Sequence, residues 1–278
     1  MKSLLVCGAL LAAAALTAFA AKREQQPAVT QYTYEVLASY PHDGDAFTQG
    51  LECVPDTACS VLFESTGLYG KSSVRRVETA TGSVLSSLAL PSGHFGEGMT
   101  LHNGSLYQTT WKEHTIARYD PTTLALVASA PYTVTGEGWG LASTGTGQPL
   151  VASDGSSTLF FFTVDEATLA QQLVRTVDVT LGGKRVQRIN ELEYARGRVW
   201  ANVWYSDTVL EIDPATGAVV GVLDLHGLHS PLKSGAGAGD VLNGIAYDAA
   251  ADEFLVTGKN WHALHRIKVF GTQRRSEL

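Results

Sequence analysis

Short runs in which apolar, often β-branched residues partly alternate with polar ones recur along the chain, as VRRV, SVLSSLAL, IARY, TVLEI and VVGVL. A period of two is what a half-buried strand requires, because successive side chains point to opposite faces. Many of these runs flank one kind of turn, an Asp or Glu followed by a Thr-containing corner. It is seen in Val77-Glu78-Thr79-Ala80-Thr81-Gly82, Tyr119-Asp120-Pro121-Thr122-Thr123-Leu124 and Ile212-Asp213-Pro214-Ala215-Thr216-Gly217, and more weakly in Val164-Asp165-Glu166-Ala167-Thr168-Leu169. Aligned on Thr81, Thr123, Thr168 and Thr216, the copies are 42, 45 and 48 residues apart. A repeat of that length holding four short strands predicts an all-β fold of the β-propeller kind. No long 3.6-residue periodicity occurs beyond the first twenty residues, and residues 164–173 could hold one helical turn at most.

A second recurring strand sets the number of repeats at five: FTQGL from Phe47, FGEGM from Phe95, EGWGL from Glu137, INELEY from Ile189 and LNGIAY from Leu242. Alignment places Gln49, Glu97, Trp139, Asn190 and Asn243 at one equivalent point. The neighbouring strand recurs as LFESTG, LYQTTW, LVASDG, VWANVW and FLVTGK, and its last position holds Gly67, Trp111, Gly155, Trp204 and Lys259. The fifth copy lacks the Asp–Thr turn, and the strand TYEVLASY near the N-terminus has no local partner. Five blades, the last closed by N- and C-terminal strands together, satisfy both facts and cover edges that would otherwise aggregate. The expected organisation is a 1–20 secretory signal, a flexible 21–31 segment, a propeller over 32–270 and a 271–278 tail.

Innermost strands of a propeller face a central channel, so one matched position per repeat forms a ring. A carboxylate at Glu97 among the amides Gln49, Asn190 and Asn243 suits general acid–base work if water is excluded; a structural carboxylate bonded to backbone is the plainer alternative. Trp111, Trp139 and Trp204 also fall on equivalent inner positions, consistent with a cage that grips a cation or with simple channel packing. Lys259 occupies the slot of Trp111 and Trp204, where an ammonium can steady developing negative charge; a surface lysine is the alternative. Asp154-Gly155-Ser156 reads as a hairpin turn near the channel mouth.

Composition narrows the setting. Lys2, the apolar residues 4–16 and Ala18-Phe19-Ala20 make a secretory signal too short to span a membrane stably. Its removal takes the net charge from −7 to −8, which disfavours nucleic acid and anionic membranes as partners. Cys7 leaves with the signal. Cys53 and Cys59, in CVPDTAC, pair as a disulfide in an oxidising compartment, with a zinc ligand pair as the rival. The chain is expected to be secreted or in the secretory pathway, periplasmic or extracellular if bacterial, without a membrane anchor and as a monomer. Asn103-Gly104-Ser105 is a glycosylation sequon in a eukaryotic host. KSGAGAGD contains a glycine loop over 235–239 and no dinucleotide fingerprint, and His262 and His265 fall on opposite faces of a strand period.

FTQGL, FGEGMT, GWGL, SDGS, INELEY, ANVW, LNGIAYD and VTGK-x-W stand in one order with repeat-like spacing from about Tyr34 to Val269. Together they resemble the plant and bacterial type of glutaminyl-peptide cyclotransferase, a five-bladed propeller family unrelated to the mammalian zinc enzyme. The resemblance implies conversion of N-terminal glutamine of peptides and proteins to pyroglutamate, with release of ammonia and no cofactor. It implies Glu97 as the catalytic residue, with Phe47, Gln49, Phe95, Trp111, Trp139, Asn190, Trp204 and Lys259 in the channel. In the mechanism this suggests, Lys259 and Asn190 hold the amide oxygen, while the remaining channel residues and Asn243 enclose the substrate. Two readings compete: a binding propeller without catalysis, and a metal-dependent lactonase, which needs more inward carboxylates than this ring offers. A structural metal ion in the channel stays open.

Overall fold

The computed structural model describes residues 28–229 and 240–272. The expected signal, residues 21–27 of the N-terminal segment, the 235–239 loop and residues 273–278 lie outside them. The chain opens on β1 (Thr30–Pro41). Three antiparallel four-stranded sheets follow, each in simple up-and-down order. The first is β2 (Thr48–Cys53), β3 (Val61–Thr66), β4 (Ser73–Glu78) and β5 (Val84–Ala89). The second is β6 (Gly96–His102), β7 (Ser105–Thr110), β8 (Thr115–Tyr119) and β9 (Leu126–Pro131). The third is β10 (Leu141–Ser143), β11 (Leu150–Ala152), β12 (Thr158–Val164) and β13 (Gln171–Asp178). A small hairpin, β14 (Thr180–Leu181) and β15 (Lys184–Arg185), leads to an eight-stranded sheet. That sheet contains the meander β16 (Ile189–Ala195), β17 (Arg198–Val203), β18 (Thr208–Ile212) and β19 (Val219–Asp224), and then β20 (Leu242–Asp248), β21 (Glu253–Gly258) and β22 (Ala263–Thr272).

β1 joins the two parts of the large sheet. It runs antiparallel to β22 from Gln31↔Thr272 to Pro41↔Ala263 and parallel to β19 over Thr30↔Gly221 to Tyr32↔Leu223. Those pairings carry the strands two residues beyond the expected 32–270 bounds at each end. Thr30 and Gln31 are therefore strand, where a flexible segment was expected. Residues 164–173 form the end of β12, a turn and the start of β13, and no helix occurs among the described residues.

Apolar faces explain how the sets meet. Phe63 and Val74 of the first pack on Met99 and Leu106 of the second, and Tyr107 and Ile116 on Leu150 and Phe162 of the third. Val151 and Phe161 pack on Leu192 and Val199, Trp200 and Val209 on Ile245 and Phe254, and Leu255 and Leu264 return to Leu51 and Leu62. Each interface thus buries its own core, and the series closes on itself. The first strands touch in the same cyclic order, β2 with β6, β6 with β10, β10 with β16, β16 with β20 and β20 with β2. Near the axis the backbones crowd: a Cβ on Gly98 would lie 2.4 Å from Leu141 N. Outer strands such as β5 and β9 alternate exposed and half-buried residues, because they lie at the rim, beyond the packed interfaces between sets.

The Asp–Thr corners link the third and fourth strands of four sets. Asp120 accepts from Thr122 N, Thr123 N and Thr123 Oγ1 at 2.8–3.0 Å, and Asp165 accepts from Thr168 N and Oγ1. Such side-chain acceptors replace the ladder bonds that a turn gives up. Leu124 and Leu169 hold φ values of 59° and 58° there and bury their side chains, which offsets the left-handed backbone. Cys53 and Cys59 are joined as a disulfide with Cα atoms 4.9 Å apart. No described helix is long and apolar enough to cross a membrane.

Candidate functional site

The ring residues owe their aim to irregular strand starts. Register shifts fall between Thr48 and Gly50, Gly96 and Met99, Ile189 and Leu192, and Leu242 and Ile245. Each brackets one ring residue, Gln49, Glu97, Asn190 or Asn243. A bulge takes a residue out of the ladder and re-aims its side chain, here toward the axis.

At that end of the axis lies a cavity of about 190 Å³ lined by Phe47, Gln49, Phe95, Glu97, Trp111, Trp139, Asn190, Trp204 and Lys259. Glu97 and Lys259 are each only 4% exposed. Asn243 is placed differently: it does not line the cavity but lies buried behind it. Its Nδ2 donates to Thr48 O at 2.9 Å and to Gln49 Oε1 at 3.1 Å. Gln49 Nε2 in turn donates to Glu97 Oε1 at 2.9 Å. Asn243 thereby fixes which way the Gln49 amide faces, and one oxygen of Glu97 receives a permanent donor.

The Glu97 backbone is held from behind. Ser65 Oγ donates to its carbonyl, Gln108 Nε2 donates to Ser65 Oγ at 2.7 Å, and Tyr119 OH donates to Gln108 Oε1 at 2.9 Å. Asn190 is steadied through Ser153, whose Oγ donates to the Asn190 carbonyl at 2.7 Å. These supports come from second and third strands whose recurrence is visible in the sequence, although the roles of Ser65, Gln108, Tyr119 and Ser153 are not.

Burial pushes the Glu97 carboxyl well above its usual range, the nearby Lys259 charge draws it down, and Glu137 and Glu113 push it up again. Burial lowers Lys259 to about 8, against the attraction of Glu97. The Lys259 ammonium stands 4.8 Å from the centre of the Phe47 ring and 5.8 Å from that of Trp204.

Aromatic contacts run most of the way around the wall. Phe47 meets Phe95 edge-on at 6.0 Å, Phe95 meets Trp111 at 5.5 Å, and Trp139 meets Trp204 edge-on at 5.4 Å. Gly67 and Gly155 occupy the slot that elsewhere carries Trp111, Trp204 and Lys259. A Cβ on Gly67 would sit 2.3 Å from the Phe95 ring, and one on Gly155 would sit 2.6 Å from Trp139. Gly67 thus yields its slot to the aromatic ring of the next repeat, and Gly155 to the indole of its own. Residues that motif reading passed over complete the rim: Glu113 accepts from Tyr69 OH and Phe95 N, and Glu137 accepts from both Trp111 and Trp139. Their signal in the sequence was a carboxylate two residues from an aromatic slot, as in WKE and EGW.

Residues 9–269 match the family described as glutamine cyclotransferase. The chain belongs to this family. The glutaminyl-peptide cyclotransferase of Arabidopsis thaliana is 43% identical over 239 residues, which cover 84% of this chain and 71% of that protein. The crystal structure of Myxococcus xanthus glutaminyl cyclase superposes with a TM-score of 0.77 at 33% identity, covering 88% of this chain and all of that one. Among the described residues no three His, Cys, Asp or Glu side chains converge as metal ligands would.

Proposed function

We propose that this glutamine cyclotransferase is a five-bladed β-propeller that converts N-terminal glutamine of peptides and proteins to pyroglutamate, releasing ammonia. The observation that carries the reading is Glu97, the one carboxylate lining a largely aromatic cavity that also holds Lys259 and Asn190. The family relation points the same way. Four antiparallel sets plus a fifth completed by β1, meeting in cyclic order, support the propeller.

The reaction is intramolecular, so the cavity has to fold the substrate and move one proton. The α-amine nitrogen attacks the side-chain amide carbon, and the carbonyl electron pair moves onto oxygen. Lys259 and Asn190 steady that oxygen. Glu97 takes a proton from the attacking nitrogen and delivers it to the amide nitrogen. Collapse of the tetrahedral intermediate restores the carbonyl and expels NH₃, leaving Glu97 as it began. A carboxyl held well above its ordinary range can both accept and give a proton near neutrality. Aromatic walls enclose the glutamine side chain, and the rest of the peptide remains outside. Such a site requires a free N-terminus.

Every proton and charge in this scheme is handled by side chains, so no cofactor enters it. The disulfide is compatible with secretion, and we place the protein in the secretory pathway or outside the cell as a monomer. Purified chain treated with EDTA should release ammonia from a glutamine-initiated dipeptide and leave its N-acetylated counterpart untouched. Absence of turnover across ordinary pH would reject the activity, and loss only after EDTA would reject cofactor independence.

A further inference from the structure

The aromatic wall of the cavity has two breaks, and groups of opposite charge stand in them. Lys259 stands between Trp204 and Phe47. Between Trp111 and Trp139 stands Glu137, whose Oε2 accepts Trp111 Nε1–H at 2.7 Å and Trp139 Nε1–H at 3.0 Å. We propose that Glu137 is the positioning residue of the cavity, fixing two indoles from adjacent sets through one oxygen. The role rests on the reading of this cavity as the site of glutamine cyclisation.

An indole N–H can only donate, and when buried it seeks an acceptor. With Gln49 Oε1 already engaged by Asn243, the acceptors left within the cavity without Glu137 would be Glu97, the Asn190 amide oxygen and the substrate amide oxygen itself. Each of those is needed for chemistry. By taking both N–H groups at the rim, Glu137 leaves the two indoles presenting apolar surface to the glutamine side chain. Bonds to a charged acceptor are short and directional, so one shared oxygen also sets the separation of the two rings. Trp139 in turn meets Trp204 edge-on, which carries the constraint to a third wall.

Glu137 does not line the cavity, so it acts through the indoles and not on the substrate. Its side chain is 35% exposed, and its charge can remain solvated. The other oxygen lies 3.7 Å from Lys112 Nζ, which itself stands 3.8 Å from the centre of the Trp111 ring. Lys112 thus braces the outer side of the same arrangement.

Three substitutions at Glu137 separate acceptor geometry from charge. Glu137→Ala removes the acceptor, Glu137→Gln keeps an oxygen at the same reach without charge, and Glu137→Asp keeps charge at shorter reach. Misplaced walls should lower kcat/KM by about 10–100-fold in the Ala and Asp variants, with Gln recovering most of the loss. Two indole N–H resonances of ¹⁵N-tryptophan-labelled protein, those of Trp111 and Trp139, should move in the Ala and Asp variants and stay near wild type in Gln. In a Trp111→Phe, Trp139→Phe background, adding Glu137→Ala should cost less than about threefold more. Equal losses in Gln and Ala, a wild-type Asp variant, or a full Ala effect in that background would overturn the role. The resonances need no substrate. A wild-type chain without turnover therefore rejects the cyclisation reading, whereas unmoved resonances in Ala and Asp reject the positioning role.

Discussion

At Glu97 opposing influences meet. Burial and the charges of Glu113 and Glu137 keep the proton on, while Lys259 and the Gln49 amide favour its loss. Glu97→Gln keeps the size of the side chain and removes proton exchange, so kcat should fall by about 10²–10⁴-fold with little change in KM. Steady-state ammonia release measures this, and a kcat within tenfold of wild type would sink the shuttle. Lys259 adds a pH dependence of known sign. Its value is lowered from 10.5 to about 8, so the positive charge is present below pH 8 and lost above it. The enzyme's pH–kcat/KM profile should therefore carry an alkaline limb near pH 8. Glu97 and Glu137 bear on that limb from adjoining sets, since one attracts the ammonium directly and the other acts on Glu97. Lys259→Arg should move the limb out of the accessible range even if its height falls, because a guanidinium keeps its charge. Glu97 and Lys259 were legible in the sequence because equivalent repeat positions meet on one axis. Asn243 shared that register, yet sits behind Gln49: periodicity gives direction and not depth. Glu137 stayed hidden because its role runs through side chains of two different sets.

Among the elements, the second strands show how a repeat can carry a site without symmetry. Their end positions hold glycine in two sets and a bulky residue in three, and each glycine makes room for an aromatic ring, Gly67 for Phe95 of the next set and Gly155 for Trp139 of its own. Gly155 adds a φ of +79°, so Gly155→Ala meets both backbone strain and the Trp139 ring. It should lower the melting temperature and reduce kcat/KM about tenfold or more, through displacement of Trp139. An unchanged melting temperature and rate would show that the ring has room to move. The β2–β3 connection supplies the contrasting case. The Cys53–Cys59 bridge closes a short loop beyond the far end of β2 from Gln49. Replacing both cysteines by serine should cost about 2 kcal/mol in denaturant unfolding while leaving ammonia release intact. Pairing of these cysteines was readable from their spacing and the expected export. The bulges at the strand starts were not, because a register shift depends on which partner strand lies alongside.

Across the whole molecule, the recurrence of short strand sets in an all-β fold was visible in the sequence because each set buries an equivalent face against the next. The parallel pairing of β1 with β19 was not visible, since three residues of ladder leave no pattern. Where the closing set meets the first, a charged network ties the seam. His42 binds Trp261 O and Glu64, and Arg75 joins Glu64 to Asp43. His42 and Arg75 help hold the Glu64 carboxyl down to about 2 from 4.5. Its stabilisation is complete above pH 4.5 and drains away as pH falls toward 2. Neighbouring His42 is raised by Glu64, so its share is full in acid and lost as pH rises past its folded value. Thermal melting should therefore fall steeply from pH 4.5 to 2, and Glu64→Gln should lower the neutral melting temperature and flatten that slope. Parallel curves for the two proteins would place the acid lability elsewhere. The seam also bears on how the molecule comes into being. β1 is made first and its main partner, β22, last, so a growing chain carries an unsatisfied strand until residues 263–272 emerge. Only the short ladder with β19 can shelter it in the interval. Translation speed and chaperone capture of that strand thus become part of the yield of active protein, however stable the finished ring.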